Sequence, residues 1–215
     1  MSINENTQHK HPKAVHFNAR QHNIPRETAQ QAKERIFPTR FQNATLSSIS
    51  WSESKIKKLS QWLANPKGML ILTGPPGTGK TYACAAIVDW IHGKFNTYRY
   101  HEESHIFKKL RGCMGSGGDY STEIGEMIDD SIVLLNDLGS MGFDQSKYPW
   151  REEVWFTMIE QLYSNMTPAV ITSNFNEQEL RMICNPRLAS RIFDKDNTII
   201  ELYGEADHRK SSQDF

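Results

Sequence analysis

Apolar and polar positions along this chain switch repeatedly between two rhythms. Ile56, Leu59 and Leu63 recur at helical spacing, which predicts an amphipathic helix over 54–63. Asn65-Pro66 and Gly68 end it. Met69–Thr73 follows as a short apolar run ahead of a Gly/Pro turn, the pattern of a strand covered on both faces. The same pattern returns at 132–135 and 169–172, and further short strands are predicted at 97–100 and 198–202. Helices are predicted at 81–92, 102–110, 150–164, 177–182 and 187–193. Another is predicted at 25–36, where Pro25 stands at the start and good helix formers follow. Gly112–Gly118 holds four glycines in seven residues and reads as a loop. There is no internal repeat. Strand and helix in alternation predict an α/β fold, a parallel sheet with helices on both faces.

The chain has 215 residues, the size of one domain with room for a substantial core. Its 38% hydrophobic and 23% charged residues fit an ordinary globular protein. Lys and Arg together number 25, as do Asp and Glu, so a polycation that coats nucleic acid by bulk charge is excluded. No apolar run approaches the ~18–20 residues of a membrane span. Met1–Lys10 is polar, without the apolar stretch of a secretory signal. Cys84, Cys113 and Cys184 lie far apart and form no C-x-x-C pair, so neither a zinc site nor a disulfide framework is expected, and a cytoplasmic location is. The neutral total conceals a bias: residues 1–40 hold seven basic and three acidic side chains. Up to about Ile24 there is too little apolar surface to offset the entropy of ordering. This stretch reads as flexible, either a solvated tail or an arm that docks on a protein or nucleic acid.

The chemistry concentrates at Gly74-Pro75-Pro76-Gly77-Thr78-Gly79-Lys80-Thr81, which fits G-x-x-x-x-G-K-[ST], the P-loop. Its glycines let successive N–H groups face one anion. Lys80 can reach the β- and γ-phosphates, the Thr81 hydroxyl can ligate Mg²⁺, and the following helix turns its positive end to the phosphates. The flanking strand and helix give the motif its required context.

Three further segments bear on the same chemistry. Ile132–Asp137 is a buried strand with polar residues at its end, but where two acids are usual the first position is Asn136 and only Asp137 is charged. Mg²⁺ prefers charged oxygens, so weaker metal binding and slow turnover are expected. Thr172-Ser173-Asn174 ends another strand, where open α/β sheets hold ligands; turn chemistry is the competing explanation. Arg187 and Arg191 are four apart and share a helix face. They suit either a solvated surface or charge stabilisation at a phosphate across a subunit boundary. Lys108, Lys109 and Arg111, with Phe107 and Tyr120 near, suit a sequence-tolerant single-strand site or simply a solvated helix end.

Taken in order, Gly74–Thr81, Val133–Gly139, Pro168–Asn174 and Arg187–Ile192 resemble the AAA+ ATPases. The resemblance is strongest to the bacterial replicative helicase loaders of the DnaC/DnaI type, with the IstB-type transposition helpers close by. It extends over roughly Phe37 to Arg209, from the entry segment Pro38–Leu46 to the ending Tyr203–Arg209. It implies an AAA+ core at 37–209, a flexible or short helical N-terminal arm at 1–36 open to partner binding, a tail at 210–215, and no helical lid after the core. ATP or ADP with Mg²⁺ is expected at the sheet's carboxyl edge, and subunits are expected to join into an arc or ring. By the same resemblance Asp137, Asn174 (sensor 1), Arg191 (an arginine finger acting in a neighbouring copy) and its companion Arg187 are catalytic. Gly74, Pro75, Pro76, Gly77, Thr78, Gly79, Lys80 and Thr81 hold the nucleotide, with Arg40, Phe41 and Arg209 beside it. Thr81, Asn136 and Asp137 serve the metal. Two departures stand out: Asn136 itself, and Leu162 before Tyr163, where many relatives carry Arg-Tyr. The implied partners are a replicative DNA helicase and single-stranded DNA. A transposase partner, or an adaptor that uses ATP as a switch and barely hydrolyses it, are the alternatives.

Overall fold

A computed structural model describes residues 27–95, 97–115, 120–142 and 149–205. In chain order these form α1 (Ala29–Ile36), two 3-10 turns (Thr39–Phe41 and Leu46–Ser48), α2 (Glu53–Ala64), β1 (Met69–Thr73), α3 (Lys80–Lys94), β2 (Arg99–Glu102), α4 (Glu103–Gly115) and α5 (Tyr120–Ile128). Then come β3 (Val133–Leu138), α6 (Pro149–Ser164), β4 (Ala169–Ser173), α7 (Glu177–Ile183), α8 (Pro186–Ile192) and β5 (Thr198–Glu201). The strands build one parallel sheet in the order β2-β3-β4-β1-β5. No helix among the described residues is long and apolar enough to cross a membrane.

Side chains alternate along each strand, and this divides the core between the two faces of the sheet. Met69 and Ile71 of β1, with Val133, Leu135, Ala169 and Ile171, meet α4, α5, α6 and α8 through Leu110, Ile124, Trp155 and Leu188. Leu70 and Leu72, with Leu134, Val170 and Ile200, meet α1, α2 and α3 through Ala32, Trp62 and Ile87. β1 is buried along its whole length, as an apolar run in a doubly covered parallel strand requires. α1 opens with a capping box between Thr28 and Gln31. Its Lys33 is buried, with the ammonium 3.0 Å from Asp89 of α3 and 3.1 Å from the Ala44 carbonyl.

Two sequence expectations need correction. The glycine-rich stretch does not begin a loop at Gly112; α4 continues to Gly115. Each glycine costs a helix about 1 kcal/mol, and buried Ile106, Phe107 and Leu110 carry the helix into the glycines. α5 was not anticipated. Its apolar set, Tyr120, Ile124, Met127 and Ile128, packs on the core at the helical intervals of four, seven and eight residues, a pattern overshadowed by the glycines before it.

Candidate nucleotide-binding site

β1 ends at Thr73, and the chain must pass from strand to helix before Lys80. Gly77 (φ 94°) and Gly79 (φ 89°), the latter at the N-cap of α3, take left-handed backbone that a side chain would strain. The turn is braced from within, where the Thr78 hydroxyl donates to the Pro75 carbonyl at 2.9 Å. It is braced from without by the buried indole of Trp51, which donates to the Thr78 carbonyl at 3.1 Å. Lys80 is only 5% exposed. Its ammonium donates to the carbonyls of Gly74 (2.5 Å) and Pro75 (2.9 Å). A cation held at the N-terminus of a fifteen-residue helix, behind a turn of backbone amides, is a built anion site.

The turn forms one wall of a cleft of about 810 Å³. From the entry segment come Pro38, Arg40, Phe41, Ile49 and Trp51, an apolar end suited to a base; the Arg40 guanidinium lies 4.6 Å from the Phe41 ring centre. From the loop and α3 come Lys80, Thr81 and Tyr82, whose phenol is 2.8 Å from the Ser48 hydroxyl. From the carboxyl ends of the strands come Glu102 (β2), Asn136 and Asp137 (β3), and Asn174 just past β4. This is the edge of an open parallel sheet where ligands sit. The structure therefore brings Pro76, Gly77, Gly79, Lys80, Thr81, Arg40, Phe41, Asn136, Asp137 and Asn174 together around one space, while Gly74, Pro75 and Thr78 of the same motif are not among its lining residues. Arg209 lies outside the described residues.

The end of β3 is shaped by one residue. Asp137 has φ 67°, and β3 slips its pairing with β4 between Leu135 and Leu138. The buried Thr172 hydroxyl bridges the slip. It accepts from the Asp137 amide at 2.9 Å and donates to Asn136 Oδ1 at 2.8 Å. The Asn136 amide is thereby oriented, with its oxygen on Thr172. Ser173 completes the brace by donating to the Leu138 carbonyl at 2.9 Å.

Behind this strand end sits a carboxylate that no motif or spacing singles out. Glu103, 1% exposed, accepts from Gly139 N (2.9 Å), Met141 N (2.7 Å), Ser140 Oγ (2.7 Å) and Trp155 Nε1 (2.7 Å). Arg151 adds a bond to the Met141 carbonyl. The start of α4, the turn after β3 and the body of α6 are thus fastened at one point.

Thr81, Glu102, Asn136 and Asp137 are among the oxygen-bearing side chains around the cleft. Among the described residues no three of His, Cys, Asp and Glu gather to hold a metal by themselves. Hard oxygens too few to close a shell suit Mg²⁺ arriving on phosphate and keeping part of its water. None of the three thiols is among the residues that line the cleft. Burial, and then the nearby Asp137, push Cys84 up to about 12 against the opposing pull of Lys80. Burial does the same to Cys184.

Arg187 and Arg191 do not line the cleft. α8 is set by the Asn185 cap, whose own amide donates to Glu152 of α6 at 2.6 Å. Asn197 holds its other end by donating to the carbonyls of Arg191 and Ile192 while accepting from Met69 N of β1. Arg191 Nε lies 2.6 Å from Glu160 of α6, and Arg187 covers Phe156 at 4.8 Å. The Arg191 hydrogen bond holds the Glu160 carboxyl below its usual range. Leu162, one of the two departures noted above, is buried in the core, while Tyr163 is 42% exposed.

The proposed DNA cations divide. Lys108 and Arg111 are exposed, whereas Lys109 pairs with Glu123 at 2.7 Å. Phe107 is 2% exposed and packs edge-on against Trp150, so it offers no face to a base. The helical periodicity of Ile106, Phe107 and Leu110 was the signal that placed it inside.

Comparison with known proteins agrees with this geometry. The family model "IstB-like ATP binding protein" matches residues 26–213. No curated protein matches the chain. Among solved structures, the DnaC helicase loader superposes with a TM-score of 0.62 at 21% identity, over 76% of this chain and 99% of that one. DnaI superposes with 0.62 at 21% identity, over 82% and 99%. The replication initiator DnaA bound to AMPPCP and single-stranded DNA superposes with 0.59 at 18% identity, over 74% of this chain and 49% of that one. These likenesses place the sheet and its helices in the AAA+ P-loop fold.

Proposed function

Because the chain belongs to the IstB-like ATP binding protein family, we propose that it is an ATP-binding helicase loader. It assembles on the replicative DNA helicase, places it on single-stranded DNA, and hydrolyses ATP slowly. The observation that carries this reading is the cleft at the sheet's carboxyl edge, where the buried Lys80 and the glycine turn face Asp137 and Asn174. Likeness to DnaC and DnaI over 99% of each of their lengths supports the loader over other ATPases. The family description, an IstB-like ATP binding protein, together with the resemblance to IstB-type transposition helpers, supports the second reading, an ATPase that assists a transposase. Pull-down of purified replicative helicase and of a transposase by the full chain separates them: the helicase is retained with nucleotide present. Retention of the transposase alone would overturn the loader.

In this reading Gly74, Pro75, Pro76, Gly77, Thr78 and Gly79 cradle the phosphates with Lys80, while Arg40 and Phe41 flank the base. Thr81, Asn136 and Asp137 serve Mg²⁺, which on binding neutralises phosphate charge. Asp137 accepts a proton from the attacking water, and Asn174 orients that water or the terminal phosphate. Asn136 contributes no charge, which slows hydrolysis. Asn136→Asp is expected to raise turnover severalfold in a steady-state ATPase assay, because Thr172 still donates to the new carboxylate. An unchanged rate would show that Asn136 does not stand at the metal.

Arg191, with Arg187 as companion, acts on the nucleotide of a neighbouring copy in an arc or ring. Its contact with Glu160 is partly exposed, and such pairs hold by only about 0–1 kcal/mol, so a phosphate displaces the carboxylate readily. Arg191→Ala is expected to lower ATPase activity by at least roughly tenfold at assembling concentrations and to leave the dilute chain unaffected. An equal loss in the dilute chain would remove the role in trans.

A further inference from the structure

Glu102 is the last residue of β2 and stands in register with Asn136 of β3. Paired residues on neighbouring strands are about 4.8 Å apart and project to the same side of the sheet. Both line the cleft, with Lys80, Thr81 and Asp137. Glu102 therefore carries a carboxylate next to the position where the second acid of the strand end is missing. Its Oε1 accepts from the Tyr100 phenol at 3.0 Å, which fixes the carboxylate from behind. Asn136 has its single side-chain oxygen on the Thr172 hydroxyl, so it offers a cation only a neutral oxygen that already accepts a hydrogen bond.

We infer that Glu102 supplies the anionic oxygen of the Mg²⁺ shell that Asn136 does not. The acid has moved across one strand spacing from β3 to β2. This rests on the ATP-binding reading. It also explains how a chain with an amide at the strand end keeps two negative charges, Glu102 and Asp137, facing a triphosphate. Without a cation those carboxylates repel the nucleotide; with it they bind it through the metal.

The test is Mn²⁺ binding to the full chain saturated with AMPPCP, followed by electron paramagnetic resonance, alongside AMPPCP affinity in excess EDTA. Glu102→Gln is expected to weaken Mn²⁺ binding roughly tenfold, while metal-free affinity for AMPPCP stays level or rises as a repulsive charge is removed. Adding Asn136→Asp to Glu102→Gln restores Mn²⁺ affinity by returning the acid to β3. Mn²⁺ affinity of Glu102→Gln within twofold of the unaltered chain would overturn the inference and leave ATP binding standing. So would an equal loss of metal-free AMPPCP affinity, which would mark Glu102 as merely structural, or a failure of the double variant to recover. If the unaltered chain binds no AMPPCP at all, the inference and the reading beneath it fall together.

Discussion

Lys80→Ala is expected to remove ATP and ADP binding from this chain. The side chain is buried at the head of α3, and its ammonium is held by the carbonyls of Gly74 and Pro75. A phosphate arriving in the cleft takes over a cation already stripped of most of its water and already positioned. Loss of charge-assisted bonds of this kind costs about 3 kcal/mol, at least a hundredfold in affinity. The fold itself does not depend on the lysine, because the turn is independently held by Thr78 and Trp51. Calorimetric titration with ATP should show no heat for the variant, while far-ultraviolet circular dichroism and Tm stay close to those of the unaltered chain. Retained affinity within tenfold would mean that the phosphates lie elsewhere.

A second large effect is expected at Glu103, on stability rather than on binding. Glu103→Ala strands two backbone amides, the Ser140 hydroxyl and the Trp155 indole, all of which now donate to one buried carboxylate. Buried donors left without a partner cost about 1–3 kcal/mol each. Partial rehydration of the turn at 139–142 lowers the total, and a loss of about 3–4 kcal/mol is expected. For a chain of this size that lowers Tm by roughly 10 °C. Thermal unfolding measures it directly, and a shift under 3 °C would deny Glu103 its role as fastener. Because the same turn follows Asp137, the variant should also hydrolyse ATP more slowly at temperatures where it remains folded.

How far the sequence foretold this depends on the range of the interaction. Met69–Thr73, followed by the glycine turn and Lys80, was legible because motif, strand and helix are contiguous. The buried runs at β3 and β4 were legible for the same reason, and so was the gathering of their ends around one cleft, since a parallel sheet aligns its carboxyl edges. α5 was lost because the glycines before it suggested a continuing loop, although Ile124, Met127 and Ile128 carried the helical interval. Phe107 beside lysines suggested a base-stacking surface, although its helical interval with Ile106 and Leu110 already pointed inward, where the packing on Trp150 holds it. Trp51, Glu102 and Glu103 were illegible for a different reason. Each acts on a partner between 27 and 52 residues away in the chain. Local pattern holds no trace of the register that sets Glu102 beside Asn136, or of the bend that folds the turn after β3 onto Glu103.

Arg191 illustrates the remaining gap. Its helix, its cap and its Glu160 partner are all set within one chain, yet the role proposed for it requires a second copy. The cleft lined by Lys80, Thr81, Asp137 and Asn174 makes the more basic demand, since every binding and catalytic role assigned above presupposes a nucleotide there. Isothermal titration of the full chain with ATP in the presence of Mg²⁺ is the most direct test. The account predicts saturable binding at one site per chain; titrations of ATP and of ADP that release no heat of association would contradict it.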